Sequence, residues 1–338
     1  MKVWELKEAF GLDNLKLAQR ADPRPGPGQV VVAMRAASIN FRDLVVIKGG
    51  YGRNIKTPLI PFSDGAGVVE AVGPGVTRVA VGDRVCPLFF QGWPAGDPPP
   101  DVAAGTLGGP LDGALAEKML LDQQGVAKVP DSLSDAEAAC LPCAALTAWS
   151  AIVTKGCIVP GQTVVVQGTG GVALFALQIA KAAGARVIIT SSSDEKLEKA
   201  KALGADVGIN YRQEQDWSRI VKEQTHGVGA DHVVELGGAD TLNQSVRAVR
   251  GGGTISLIGV LSGAMAELNL PLVLTRNVRI QGITVGSRAG FEAMLAAMDL
   301  HGIKPVIDSV FPFDRTLEAL SHLAAGAHFG KVCIDHTA

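Results

Sequence analysis

A two-domain α/β fold, one half a doubly wound parallel sheet and the other an antiparallel β barrel, is predicted from three observations. The 338 residues exceed what one hydrophobic core usually supports. From Met1 to about Val129, short apolar runs are cut by glycine and proline, the rhythm of a barrel. From residue 130 strand-like and helix-like stretches alternate, which argues for parallel strands joined by right-handed crossovers. The expected division is 1–129 with 288–338, and 130–287.

In the first part, Gln29 to Ala36 follows the turn Pro23 to Gly28 and reads as a strand, as does Gly65 to Val72 before Gly73-Pro74-Gly75. Gln91 to Pro110 has no periodicity and reads as a long surface loop. Ser134-Asp135-Ala136-Glu137 has capping-box spacing and starts a helix that reaches Val153 with a break near Pro142. Six strands follow: Thr163 to Gln167, Arg186 to Thr190, Val207 to Asn210, His232 to Glu235, Thr254 to Ile258 and Arg279 to Thr284. Helices are expected at Val172 to Ala183, Glu195 to Leu203, Asp216 to Thr225 and Leu242 to Val249. The tail from Lys304 holds short strands and one helix and should return to the barrel.

Lysine and arginine total 31 against 33 acidic residues, so neither a nucleic-acid backbone nor an anionic membrane is the expected partner. No apolar run approaches a membrane span, and the charged N-terminus is not a signal peptide, so a cytoplasmic protein is expected. Five scattered cysteines point to reduced thiols.

The chemistry begins at Thr163-Val164-Val165-Val166-Gln167-Gly168-Thr169-Gly170-Gly171-Val172-Ala173, an apolar strand, a glycine turn and a helix. Gly168 permits the turn, Gly170 lets a pyrophosphate approach, and Ala173 lets the helix lie on the strand. With the strand and helix on either side, this is a Rossmann dinucleotide fingerprint, the phosphates resting on the helix start. No acid ends the second strand, where one would grip the ribose of NAD. Ser191, Ser192 and Ser193 stand there, with Lys196 one turn on and Tyr211 and Arg212 on the neighbouring strand. These donors favour NADP(H) over NAD, the opposing reading being Asp194 as a ribose ligand.

The chain resembles the medium-chain dehydrogenase/reductase superfamily, in its zinc-independent, quinone oxidoreductase-like branch. The matching segments are Gly65 to Gly73, Val81-Gly82-Asp83-Arg84-Val85, Gly168 to Ala173 and Phe329-Gly330-Lys331-Val332. The resemblance implies a GroES-like catalytic domain, a Rossmann domain, an active site in the cleft between them, and a homodimer. We expect the homodimer to pair through sheet edges near an apolar strand at Leu268 to Val273. It also implies cofactor contacts from Thr147, Leu236, Gly237, Ile258, Gly259, Val260, Ile283, Val285, Phe329 and Lys331, beside those of Gly168, Thr169, Gly170, Gly171, Val172 and Ala173.

Zinc-dependent members ligate catalytic zinc through a cysteine, a histidine and a later cysteine or histidine. Here Ile39 to Asp43 and Pro61 to Gly65 occupy the first two places, and only Cys143 stands at a ligand position. No histidine precedes His226, so no zinc is expected. Cys140-Leu141-Pro142-Cys143 lacks a second pair and reads as packing. The histidines, from His226 to His336, read as surface or turn residues, with contact to the nicotinamide the alternative for His328 beside Phe329. Without a Lewis acid, hydrogen-bond donors must stabilise the developing oxyanion, which suits reduction of quinones or α,β-unsaturated carbonyls. The resemblance places Asn40 and Tyr51 near the substrate carbonyl, oriented by Asp43. The alternatives are an NAD(P)-dependent alcohol dehydrogenase and an NADPH-binding protein without turnover.

Overall fold

The computed structural model describes residues 1–52 and 55–338. They form two compact units, Met1–Leu146 with Val285–Ala338, and Thr147–Thr284.

The first unit opens with a hairpin-like pair, β1 (Lys2–Leu6) and β2 (Leu15–Gln19). The long β3 (Gln29–Ile39) is rich in valine and alanine, buried on most positions, and leads directly into α1 (Phe41–Ile47). Then come β4 (Asp64–Val72), β5 (Arg84–Pro87), β6 (Lys118–Asp122), β7 (Val126–Lys128) and the short α2 (Asp135–Ala139). The capping box expected at Ser134 is present, Ser134 and Glu137 each accepting the other's backbone N–H. Beyond α2 the single long helix expected does not form. Wide π turns at Leu141–Ala145 and Ser150–Thr154 flank a one-turn α3 (Leu146–Trp149), because Pro142 offers no N–H to the helical ladder.

The second unit is a parallel sheet of β8 (Thr163–Gln167), β9 (Arg186–Ser191), β10 (Val207–Asn210), β11 (Ala230–Glu235), β12 (Val249–Leu257) and β13 (Arg279–Gly282). Its order is β10-β9-β8-β11-β12-β13, the doubly wound order of dinucleotide folds. The connecting helices are α4 (Gly171–Ala182), α5 (Asp194–Ala202), α6 (Trp217–Gln224), α7 (Leu242–Ala248) and α8 (Leu270–Thr275). Val164, Val165, Val166, Ile188, Val233 and Ile255 are fully buried, as strands covered on both faces require.

The chain then returns to the first unit through α9 (Arg288–His301), β14 (Ile307–Pro312), α10 (Thr316–Ala324) and β15 (Lys331–Asp335). Its sheet runs β14-β15-β3-β4-β5-β7, with β6 also on β3. Among the described strands of this sheet only β14 and β15 pair in parallel, so the expected antiparallel barrel carries one parallel edge.

Four local expectations change. Residues 130–146 belong to the first unit, since α2 is alanine-rich and lies on β3, β4 and β15. Gln91 to Pro110 is not merely a surface loop, because Trp93, Thr106 and Leu107 are buried. The apolar strand expected at Leu268 to Val273 does not form: Leu270 to Val273 open α8, whose Asn269 cap accepts the Leu272 N–H and whose Leu270 and Leu274 face outward. His232 is not on the surface: it is buried on β11 against Ser256 Oγ at 3.0 Å, and burial lowers its pKa to about 4.

Candidate functional site

In the second unit Gly168 takes φ +79°, the left-handed turn for which glycine was read, and α4 begins at Gly171 with no side chain capping it. A methyl group on Gly168 or Gly170 would touch nothing within 4 Å. Open space at both glycines, beside the uncapped opening turn at Thr169, Gly171, Val172 and Ala173, forms a cradle that lets a pyrophosphate approach free backbone N–H groups. The dinucleotide therefore fits the residues present.

Next to Gly168, at the ends of β8 and β11, lies a strand end that the resemblance puts at the cofactor and whose hydrogen-bond network the sequence did not reveal. The Glu235 carboxylate, fully buried at the end of β11, accepts the backbone N–H groups of Gly237 at 2.9 Å and Gly238 at 3.0 Å, and the hydroxyls of Thr241 and Ser245. Gln167, at the end of β8, donates to it, while its own oxygen accepts Leu236 N–H and Gly237 N–H, both at 3.0 Å. Glu235 O accepts Ile258 N–H and Gly259 N–H. A side chain at Gly259 would meet Leu236 O at 2.1 Å, so glycine alone allows the two strand ends to close up. Leu236, Gly237, Ile258, Gly259, Val260 and, through Ile283 N–H on Leu257 O, Ile283 are thus gathered at one end of the sheet. Thr147 is buried in the same unit. The available signal was a polar residue ending each of two apolar strands.

At the ribose end, Ser191 is buried, Ser192 and Lys196 are half-buried, and Tyr211 is exposed with its N–H on Ser191 O. Ser193, and not Asp194, caps α5. Asp194 is instead held by the amides of Asn210 and Gln213, both at 2.8 Å.

The first unit assembles a second constellation. Asn40 caps α1 in a capping box: its N–H donates to Asp43 Oδ2 at 2.7 Å. Asp43 Oδ1 pairs with Arg42 at 3.2 Å, and the Arg42 guanidinium lies 4.6 Å over the Tyr51 ring. Asp43 therefore touches Asn40 directly and Tyr51 only through Arg42. Burial raises the Asp43 pKa to about 6 against the pull of Arg42. Asn40 Nδ2 donates to Ser63 Oγ at 3.4 Å, Ser63 Oγ donates to Asp64 Oδ1 at 2.8 Å, and Cys143 N–H donates to Asp64 Oδ2 at 3.0 Å. Lys331 Nζ donates to Ile39 O at 2.8 Å and Asn40 Oδ1 at 2.7 Å. Lys331, expected among the cofactor residues, is thus joined to Asn40. Phe329 N–H goes to Asp308, and Val285 has φ +48°, a conformation that a β-branched residue seldom takes. Cys140 is buried with its sulfur 3.4 Å from that of Cys333, while Cys143 is half-buried.

Two family models match the chain: an alcohol dehydrogenase GroES-like domain over residues 26–131 and a zinc-binding dehydrogenase domain over 171–299. A zinc-type alcohol dehydrogenase-like protein of Schizosaccharomyces pombe is 42% identical over 334 residues, covering 97% of this chain and 96% of its own. The chain belongs to the medium-chain dehydrogenase/reductase superfamily. The crystal structure of a putative alcohol dehydrogenase from Sinorhizobium meliloti superposes on this dehydrogenase/reductase with a TM-score of 0.93 at 47% identity, covering 99% of this chain and 98% of the other. Human quinone oxidoreductase is 28% identical over 335 residues, covering 97% of this chain and 95% of its own. This member is accordingly an NAD(P)-dependent oxidoreductase with a GroES-like domain and a Rossmann sheet.

Among the described residues no three or more His, Cys, Asp or Glu side chains are grouped to hold a metal. Asp64 is engaged by Ser63 and by the Cys143 backbone N–H, and burial together with the Asp64 charge pushes the Cys143 thiol well up.

Proposed function

We propose that this oxidoreductase is an NADPH-dependent reductase of quinones or α,β-unsaturated carbonyls that works without a catalytic metal. The observation that carries the proposal is the buried donor group around Asn40, standing where zinc chemistry would need thiolate and imidazole. Bound NADPH supplies the hydride. Asn40 donates through Nδ2 to the oxygen on which negative charge develops, an enolate or hydroquinone anion that neutral donors can stabilise. Tyr51 is a second donor, and Asp43 holds Asn40 through its backbone N–H. Ser191, Ser192, Lys196 and Tyr211 offer donors for a 2′-phosphate, and the engaged carboxylate of Asp194 supports NADP(H) over NAD.

Anaerobic stopped-flow with NADPH and a panel of enones, enals and quinones tests this. Accelerated NADPH oxidation that survives dialysis against a chelator is expected; no acceleration with any acceptor, or activity restored only by zinc, overturns it. A second reading, an alcohol dehydrogenase, draws on the zinc-type relative and on Cys143, and an alcohol panel with added zinc decides for it. Homodimeric assembly and a cytoplasmic location remain part of our proposal, the first read by light scattering. No helix among the described residues is long and apolar enough to cross a membrane.

A further inference from the structure

We propose that Lys331 is a positioning residue of this reduction: its buried ammonium holds the Asn40 carboxamide by the oxygen and balances the Asp64 carboxylate behind it. The inference rests on the reading of Asn40 as the oxyanion donor. Arg42, Asp43, Asp64 and Lys331 are among the charged side chains buried in the first unit. Arg42 and Asp43 pair directly. Lys331 instead gives its hydrogen bonds to two neutral oxygens, which do not cancel a buried positive charge. The balancing charge is Asp64: burial pushes its carboxyl up, and the Lys331 ammonium is the foremost influence pulling it back.

The backbone is shaped to bring these groups together. Gly330, at φ +94°, would drive a side chain into Val306 O at 2.2 Å, so only glycine lets β15 start where Lys331 reaches the end of β3. Phe62, fully buried at φ +72°, sets the chain before Ser63 and Asp64, with Gly108 and Gly113 closed on its backbone. Exposure assigns the roles. Lys331, Ser63 and Asp64 are buried, and Asn40 is half-buried, so the ammonium acts on a substrate only through Asn40. A carboxamide held by its oxygen cannot flip, so Nδ2, which gives one N–H to Ser63 Oγ, is the atom whose second N–H can meet a substrate oxygen. Without the ammonium, Asp64 would oppose any anion forming at Asn40.

The full chain is compared as wild type, K331M, K331R and K331M/D64N, with an acceptor that the wild type reduces and with NADPH binding followed by fluorescence. K331M is expected to lower kcat about 100-fold while KM and the NADPH Kd stay within about threefold, the pattern of an interaction made in the transition state. K331R keeps kcat within about tenfold of wild type, and K331M/D64N regains at least about tenfold over K331M, because the unbalanced carboxylate is gone. Wild-type kcat in K331M, K331R no better than K331M, or a double variant no better than K331M overturns the proposal. If K331M does not fold, a folded K331M/D64N supports the charge balance and an unfolded one overturns it. A wild type that reduces no acceptor defeats the reductase reading instead, and the balance is then read from thermal midpoints, expected to fall in K331M and recover in the double variant.

Discussion

Gln167 and Glu235 meet at the carboxyl ends of adjacent strands, Gln167 Nε2 donating to Glu235 Oε2 across 2.7 Å. Around that contact the ends of β8, β11 and β12 are drawn into one surface. Glu235→Gln would turn an amide N–H₂ toward groups that are themselves donors. We expect a loss of about 2–3 kcal/mol, the cost of leaving buried donors unmade, read as a lower urea midpoint. NADPH affinity should fall with it.

Gly170 separates binding from folding. Its backbone is one any residue adopts, at φ −81° and ψ −176°, and a methyl group there meets no protein atom within 4 Å. Gly170→Ala should therefore change stability by about 1 kcal/mol or less and weaken dinucleotide binding at least about tenfold. Calorimetry of binding beside thermal unfolding checks both halves.

Ser192 is half-buried at the end of β9, with Lys196 a turn away. Ser192→Asp places a carboxylate where a 2′-phosphate would lie and a free 2′-OH would welcome one. Selectivity, as the ratio of kcat/KM for NADPH to that for NADH, should move toward NADH at least about tenfold.

Asp43 links stability to pH. With its carboxyl raised to about 6 by burial, the native chain keeps a proton between about pH 4 and 6 that the unfolded chain has released. Where the native state binds more protons, stability falls as pH rises, so Asp43 makes wild type lose stability across that window and no further above it. Asp43→Asn should remove this slope, leaving the two stability curves parallel above about pH 7 in urea titrations.

The dinucleotide half was legible because its signals are local. A run of valines, glycines at fixed spacing and a helix behind them need only a dozen neighbouring residues to declare a turn and a cradle, and the alternation that follows implies parallel strands. The helix at Leu270–Thr275 escaped because a short apolar run has the same pattern in a strand and a buried turn, and the Asn269 cap decided it. His232 escaped because its environment comes from β12, a strand away.

The sequence by itself determined the fold class, the fingerprint at Gly168 to Ala173 and the lack of an acid at the end of β9, since each depends on residues close in the chain. Only the tertiary structure decided that Lys331 reaches Asn40, that Asp64 sits behind Ser63, and that Glu235 gathers two strand ends. The contacts of Lys331 with Asn40 and of Gln167 with Glu235 join residues 291 and 68 positions apart, and only the start of β15 beside the end of β3 and the pairing of β8 with β11 make them. The fold buries these charged groups, and burial is what pushes the Asp64 carboxyl up.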